Sequence, residues 1–180
     1  MNVIHGICHF IEIKWNNKKE KTMSKIYISY LKEDFDKNKM IIPKDMNQWI
    51  SKPAGGFWGS PEDAEYGWKD FCADWKDLSK TIPFRFTLID NAKILVIEEL
   101  DDINKLNYCK SNDWDDKLYI DFNSIRDKYD GIELKDPSIG HMFLFGSKYK
   151  DIQKKEECFN SWDCESIVIW NPDIIIPMEV

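Results

Sequence analysis

Apolar and polar positions alternate over several short stretches of the chain, and this pattern predicts strands broken by turns. Residues 25–30, 57–59, 131–134 and 166–170 read as strands. Residues 84–88 and 93–97 read as a strand pair around the turn dipeptide Asp90-Asn91. Helical spacing appears over 61–75, where Ala64, Trp68, Phe71 and Trp75 recur at intervals of three and four. A second helix is predicted over 99–108, a third from an Asp121 cap to residue 128, and a turn or two over 152–158. Residues 110–116 and 136–148 read as loops, the latter with an apolar patch at 142–145. The segment 166–176, with Asn171-Pro172-Asp173 at its turn, reads as a hairpin or bent strand pair. No repeat or linker interrupts this order, which predicts a single α+β domain with small sheets.

Residues 1–22 differ in character from the remainder of the chain. Asn16 to Thr22 form a polar run that ends at a second methionine, Met23. The segment is expected to be a translated leader or N-terminal extension, with the working domain over 23–180. The competing reading makes residues 3–15 a strand, with His9, Ile11 and Ile13 alternating against Phe10, Glu12 and Lys14.

Composition narrows the function classes. Hydrophobic residues make up 43% of the chain and aromatics 14%, enough for a substantial core in 180 residues. A formal charge of -7 disfavours binding along a phosphate backbone, although 25 Lys and Arg leave room for a local basic face. Five scattered cysteines show no zinc-ligand spacing, so free thiols in a cytoplasmic protein are expected. No apolar run reaches membrane-spanning length. The acidic pairs at 98–99, 101–102 and 115–116 lack the pattern of a calcium loop and read as solvated surface. His141 has no visible catalytic partner pattern and reads as structural.

The densest motif is Gly55-Gly56-Phe57-Trp58-Gly59-Ser60-Pro61-Glu62-Asp63-Ala64. Two glycines let the backbone approach a flat group, and Trp58 offers a ring to stack on. Ser60, Pro61 and Asp63 match a helix cap, a first helical position and a capping-box acid. Trp58 is nearly as well explained as a core ring, and Ser60 as a cap alone.

Three blocks resemble the ADP-ribosyltransferase superfamily, especially its small phage and toxin-type members. The first is the glycine-tryptophan motif, extended through Glu65-Tyr66. The second is Lys128-Tyr129-Asp130-Gly131-Ile132. The third runs from Glu165 through the strand Ser166-Ile167-Val168-Ile169 and the turn at Pro172 to Ile175. The resemblance implies a split pair of small sheets flanked by helices, forming a cleft for NAD. It implies that Glu165 is the catalytic glutamate and that Asp163 helps activate the acceptor. It also implies that Trp58 lies near the nicotinamide and Ser60 near its ribose. The first strand departs from the family pattern, since residues 25–30 carry neither His nor Arg. Tyr27 and Ser29 share a face there and are candidates to supply hydroxyls to NAD in their place; an ordinary strand role is the other reading.

The expected activity is therefore transfer of ADP-ribose from NAD, as substrate, to an acceptor macromolecule. A protein acceptor is expected first, with a nucleobase or small molecule left open. An inhibitory or binding protein on the same fold is the alternative, and hydrolysis of NAD a weaker one.

Overall fold

Pairing between distant segments organises the chain more than its local helices do. The computed structural model describes residues 24–47, 52–73, 77–110, 117–141 and 150–179. Within them lie β1 (Tyr27–Leu31), β2 (Phe57–Pro61), β3 (Ile82–Leu88), β4 (Ile94–Ile97), β5 (Tyr108–Lys110), β6 (Leu118–Ile120), β7 (Gly131–Leu134), β8 (Ser166–Ile169) and β9 (Ile175–Pro177). Helices α1 (Trp68–Ala73), α2 (Leu100–Ile103), α3 (Phe122–Arg126) and α4 (Lys150–Glu156) are all short. Seven strands form one sheet in the order β4-β7-β8-β2-β1-β3-β9, and β5 and β6 form a second. The β4–β7 pair is parallel and the other pairs antiparallel. The protein is a single α+β domain built on a curled, half-barrel sheet.

Successive side chains of a strand point to opposite faces, and the sheet buries both. Phe57 of β2, Tyr27 of β1, Phe86 of β3 and Ile167 and Ile169 of β8 fill the inner face. Trp58, Val168, Ile132, Leu134 and Ile97 point outward. There Ile103, Phe122, Ile125, Phe159 and Trp162 cover them from the helical side. Strand β2 lies at the centre of the sheet, joining β4-β7-β8 to β1-β3-β9.

Local signals are realised where they are self-contained. Strands β1, β2, β7 and β8 occupy the segments expected. Asp121 caps α3 by accepting from the Ser124 N–H at 3.3 Å, and α4 covers the expected helical turns at 152–156.

Four expectations are corrected. The helix expected from residue 61 begins at Trp68, because β2 continues through Ser60 and Pro61, which pair with Ile28 and Tyr27. The ladder runs on as the Glu62 N–H donates to the Ile26 carbonyl at 2.9 Å. The turn at Asp90-Asn91 exists, with the Ala92 N–H donating to Ile89 at 3.1 Å, but β3 and β4 do not pair. Instead Asp130 brackets Lys93: its carboxylate accepts from the Lys93 N–H at 2.9 Å, and its own N–H donates to the Lys93 carbonyl at 2.7 Å. This clamp draws β4 alongside β7. The helix expected over 99–108 stops after α2, where the chain turns into β5. Strands β8 and β9 form no hairpin; the 3-10 turn Pro172–Ile174 carries the chain across to pair with β3. The leader at 1–22, the strand alternative at 3–15, the loop core at 111–116 and the patch at 142–145 lie outside the described residues.

Candidate functional site around Glu165

Glu165 lies half-buried at the entrance to β8. Its Oε1 accepts from the backbone N–H of Glu65 at 2.8 Å and of Tyr66 at 3.4 Å. Its own N–H donates to the Tyr66 carbonyl at 3.1 Å. The Ser60 hydroxyl donates to the Glu165 carbonyl at 2.8 Å. The motif at 55–66 and the block that opens with Glu165 thus meet in space. The carboxylate is held by fixed backbone donors on one oxygen, while Oε2 forms no hydrogen bond among the described residues.

Ser60 is fully buried. Its hydroxyl serves the Glu165 carbonyl and not a helix N-terminus, which corrects the expected cap. The glycine reading is corrected as well. Gly55 and Gly56 have φ of 72° and 86°, and a Cβ on Gly56 would stand 2.6 Å from Val168 Cγ2. These glycines let the chain pass its own strand β8 and its own residues near Ile41.

The Trp58 ring packs at 5.0 Å from the Trp162 ring, tilted by 56°, at the edge of the outer core. Lys52 links it to Asp163: its ammonium lies 5.7 Å from the Trp58 ring centre and 3.7 Å from the Asp163 carboxylate. Asp163 is exposed, and the chain bends at Cys164 and Glu165. The two carboxylates therefore engage different partners, Asp163 beside Lys52 and Glu165 on the 65–66 turn.

Tyr27 and Ser29 lie on the other side of the sheet. Ser60 pairs with Ile28 and shares its face, so Tyr27 and Ser29 point to the inner face, away from Trp58 and Ser60. Both are buried. The Tyr27 hydroxyl donates to Glu133 Oε2 at 3.0 Å, and Lys25 forms an ion pair with Glu133 Oε1. Burial, and then the Glu133 charge, push the Tyr27 phenol far above its ordinary range. This reach from β1 to β7 across β2 and β8 is a direct measure of the sheet's curl.

Glu133, only 3% exposed, escaped the sequence reading. Its signal was a single acid within the otherwise apolar strand Gly131-Ile132-Glu133-Leu134, a pattern that also fits a solvated strand face.

The acidic group at 98–102 has a structural task. Asp102 accepts from the Glu98 and Glu99 N–H groups at 2.9 and 3.1 Å and pairs with Lys105 at 2.5 Å. The Lys105 ammonium and these N–H groups hold its carboxyl below the usual range. Among the described residues no cluster of three or more His, Cys, Asp or Glu is placed to hold a metal ion. No helix among them is long and apolar enough to cross a membrane.

Two cavities flank β2. One of about 190 Å³ is lined by Tyr30, Pro61, Ala64, Gly67 and Trp68, on the turn that Glu165 holds. Another, of about 420 Å³, opens between Phe35, Met40, Ile41 and Gly55-Gly56-Phe57, and Glu165 lines neither cavity. No protein-family model, curated protein or solved structure matches the chain.

Proposed function

We propose that the protein transfers ADP-ribose from NAD to an acceptor macromolecule, a protein first among the candidates, with Glu165 as the catalytic carboxylate. One observation carries this reading: backbone N–H groups of Glu65 and Tyr66 fix one Glu165 oxygen and leave the other without a partner among the described residues. Cleaving the nicotinamide–ribose bond develops positive charge at the anomeric carbon, as in glycoside cleavage. A carboxylate already oriented, and accepting from the ribose 2′-hydroxyl, stabilises that charge more than it stabilises bound NAD. The broken bond's electron pair leaves with nicotinamide as a neutral molecule, and the acceptor nucleophile closes on the anomeric carbon as it gives up its proton to solvent.

The finer likeness to a split pair of sheets draws support from β2, beyond which the outer core covers β4-β7-β8 while β1-β3-β9 pack on the inner face. Ser60 acts here as a positioning residue through the Glu165 backbone. Trp58 and Asp163 are joined through Lys52 and are the candidates to meet the nicotinamide and the acceptor. Tyr27 and Ser29, on the opposite face, stand outside this constellation.

A binding or inhibitory role is the second reading. The engaged Ser60 hydroxyl and the packing of Trp58 on Trp162 favour it, since both side chains already have structural work.

Labelled NAD added to cell lysate with wild type or Glu165→Gln separates the readings. Transfer of label to macromolecules, falling by about 10²–10³-fold in the variant, is the expected result. Equal labelling by both proteins removes Glu165 from the chemistry. Nicotinamide release without labelling replaces transfer by hydrolysis. Neither reaction, together with a retained partner, leaves the binding role.

A further inference from the structure

The two outer strands of the seven-stranded sheet are guarded unequally. Strand β9 is three residues long and ends in Pro177, features that discourage further pairing. Strand β4, on the other side, is the uninterrupted apolar run Ile94-Leu95-Val96-Ile97, with no charge or proline inside it. The Lys93 and Ile97 carbonyls accept from the N–H groups of Asp130 and Lys135, at the two ends of β7, at 2.7 and 2.9 Å. Backbone groups alternate in direction along a strand, so Leu95 also turns toward β7, and Ile94 and Val96 turn outward. Among the described residues, the outward N–H and C=O groups of Ile94 and Val96 have no hydrogen-bond partner. An apolar edge of this kind is a template for one more strand.

We propose that residues 3–15 of the same chain dock on this edge as an eighth strand of the sheet, antiparallel to β4. The path of the chain selects this occupant. Ser24 and Ile94 line one cavity, and Lys25 forms an ion pair with Glu133, the register partner of Val96. The chain before β1 therefore issues beside the Ile94 end of β4. Residues 16–23 span at most about 29 Å when extended, and β4 is only about 13 Å long, so the preceding segment reaches the whole edge. Followed backward from Ser24, the segment meets Ile94 first and Ile97 last, which is the antiparallel sense. Its residue types suit a strand: Val3, Ile4, Ile7, Ile11 and Ile13 are β-branched, and His9, Ile11 and Ile13 alternate with Phe10, Glu12 and Lys14. A tethered segment also acts at a high effective concentration, which a strand from a second copy does not. The docking is independent of the chemistry at Glu165.

Amide hydrogen exchange of the full chain, read by NMR, tests the docking. Ile94 and Val96 are expected to exchange at least about 100-fold more slowly than an unpaired amide, as Leu95 and Ile97 do. The combined variant Ile4→Pro, Ile7→Pro, Phe10→Pro and Ile13→Pro leaves no run of more than two residues able to pair within 3–15. In it, Ile94 and Val96 are expected to lose that protection, while Leu95 and Ile97 keep theirs on β7. In the wild-type chain, where the reading does not depend on the variant folding, nuclear Overhauser contacts are expected between residues 3–15 and Ile94 or Val96. Three results each overturn the assignment. They are unprotected Ile94 and Val96 in the wild-type chain, protection that survives the four prolines (as a second copy on the edge would give), or the absence of those contacts.

Discussion

The Ser60 hydroxyl donates to the Glu165 carbonyl at 2.8 Å across a sequence separation of 105 residues, and the Glu165 carboxylate returns the contact to the turn just after Ser60. The two segments clasp each other, so the orientation of Glu165 depends on β2 as well as on β8. Ser60→Ala leaves a carbonyl without its donor in the interior and is expected to cost about 1–3 kcal/mol. Urea unfolding measures it. A cost below a few tenths of a kcal/mol means that this hydrogen bond does not hold the clasp.

Gly131 opens β7 opposite Ile169 of β8. A Cβ there would stand 2.6 Å from the Val168 carbonyl oxygen, a backbone atom fixed in the ladder. Gly131→Ala is expected to destabilise by about 3 kcal/mol, at the upper end for overpacking. The loss appears as a lower thermal midpoint, and a midpoint equal to wild type contradicts the close approach.

Tyr27 and Glu133 form a coupled pair on the inner face. Tyr27→Phe removes a hydrogen bond to a charged group and is expected to cost about 1.5–3 kcal/mol. In a double-mutant cycle with Glu133→Gln, coupling of at least about 0.5 kcal/mol is expected. The raised phenol pKa adds a sign: above about pH 10 the unfolded chain loses this proton while the folded one keeps it. Stability therefore falls as pH rises there, and the fall is shallower in Tyr27→Phe.

Glu156 ends α4 with both carboxylate oxygens buried and without hydrogen-bond partners among the described residues, and it is 2% exposed. Burial, and then the Glu157 charge, raise its pKa. A carboxyl whose folded pKa exceeds the unfolded one imposes no penalty below the unfolded value. It destabilises progressively as pH climbs past that value and through the folded one. Glu156→Met, of similar shape, is expected to stabilise the protein at pH 7 by about 1–3 kcal/mol, with the gain shrinking toward pH 4. Urea midpoints at the two pH values measure the difference, and a gain independent of pH refutes ionisation as its source.

Thiol chemistry supplies a further check. Burial pushes the Cys158 thiol up to about 12, and its sulfur donates to the Leu118 carbonyl at 3.1 Å. Cys158 is expected to resist alkylation at pH 8 in the native state and to react on unfolding. Mass mapping of the labelled peptide reads this directly.

What was legible in the amino-acid order was whatever a few neighbouring residues decide. Asp121 announces α3 because its side chain caps a turn within three residues. Gly131–Leu134 reads as a strand because Asp130-Gly131 punctuates an apolar run. Ser60-Pro61 misled, because the same residue types that begin helices also end strands, and the choice was made by Ile28 and Tyr27, some thirty residues upstream. The partners of β4 and β9 were invisible for the same reason: a turn fixes a change of direction, not which strand will lie alongside. Glu133 was hidden because a lone acid in a strand reads as solvent-facing until the curl brings Lys25 and Tyr27 over it.

The order of strands also sets a timetable. Phe57 waits for Ile169, and Leu88 waits for Ile175, before either half of the sheet gains its last neighbour. Such distant pairings slow folding, because long loops must close first. While the chain is being synthesised, the apolar edges of β2 and β3 stay open until residues 166–177 have left the ribosome, and a chaperone's protection is most valuable in that interval.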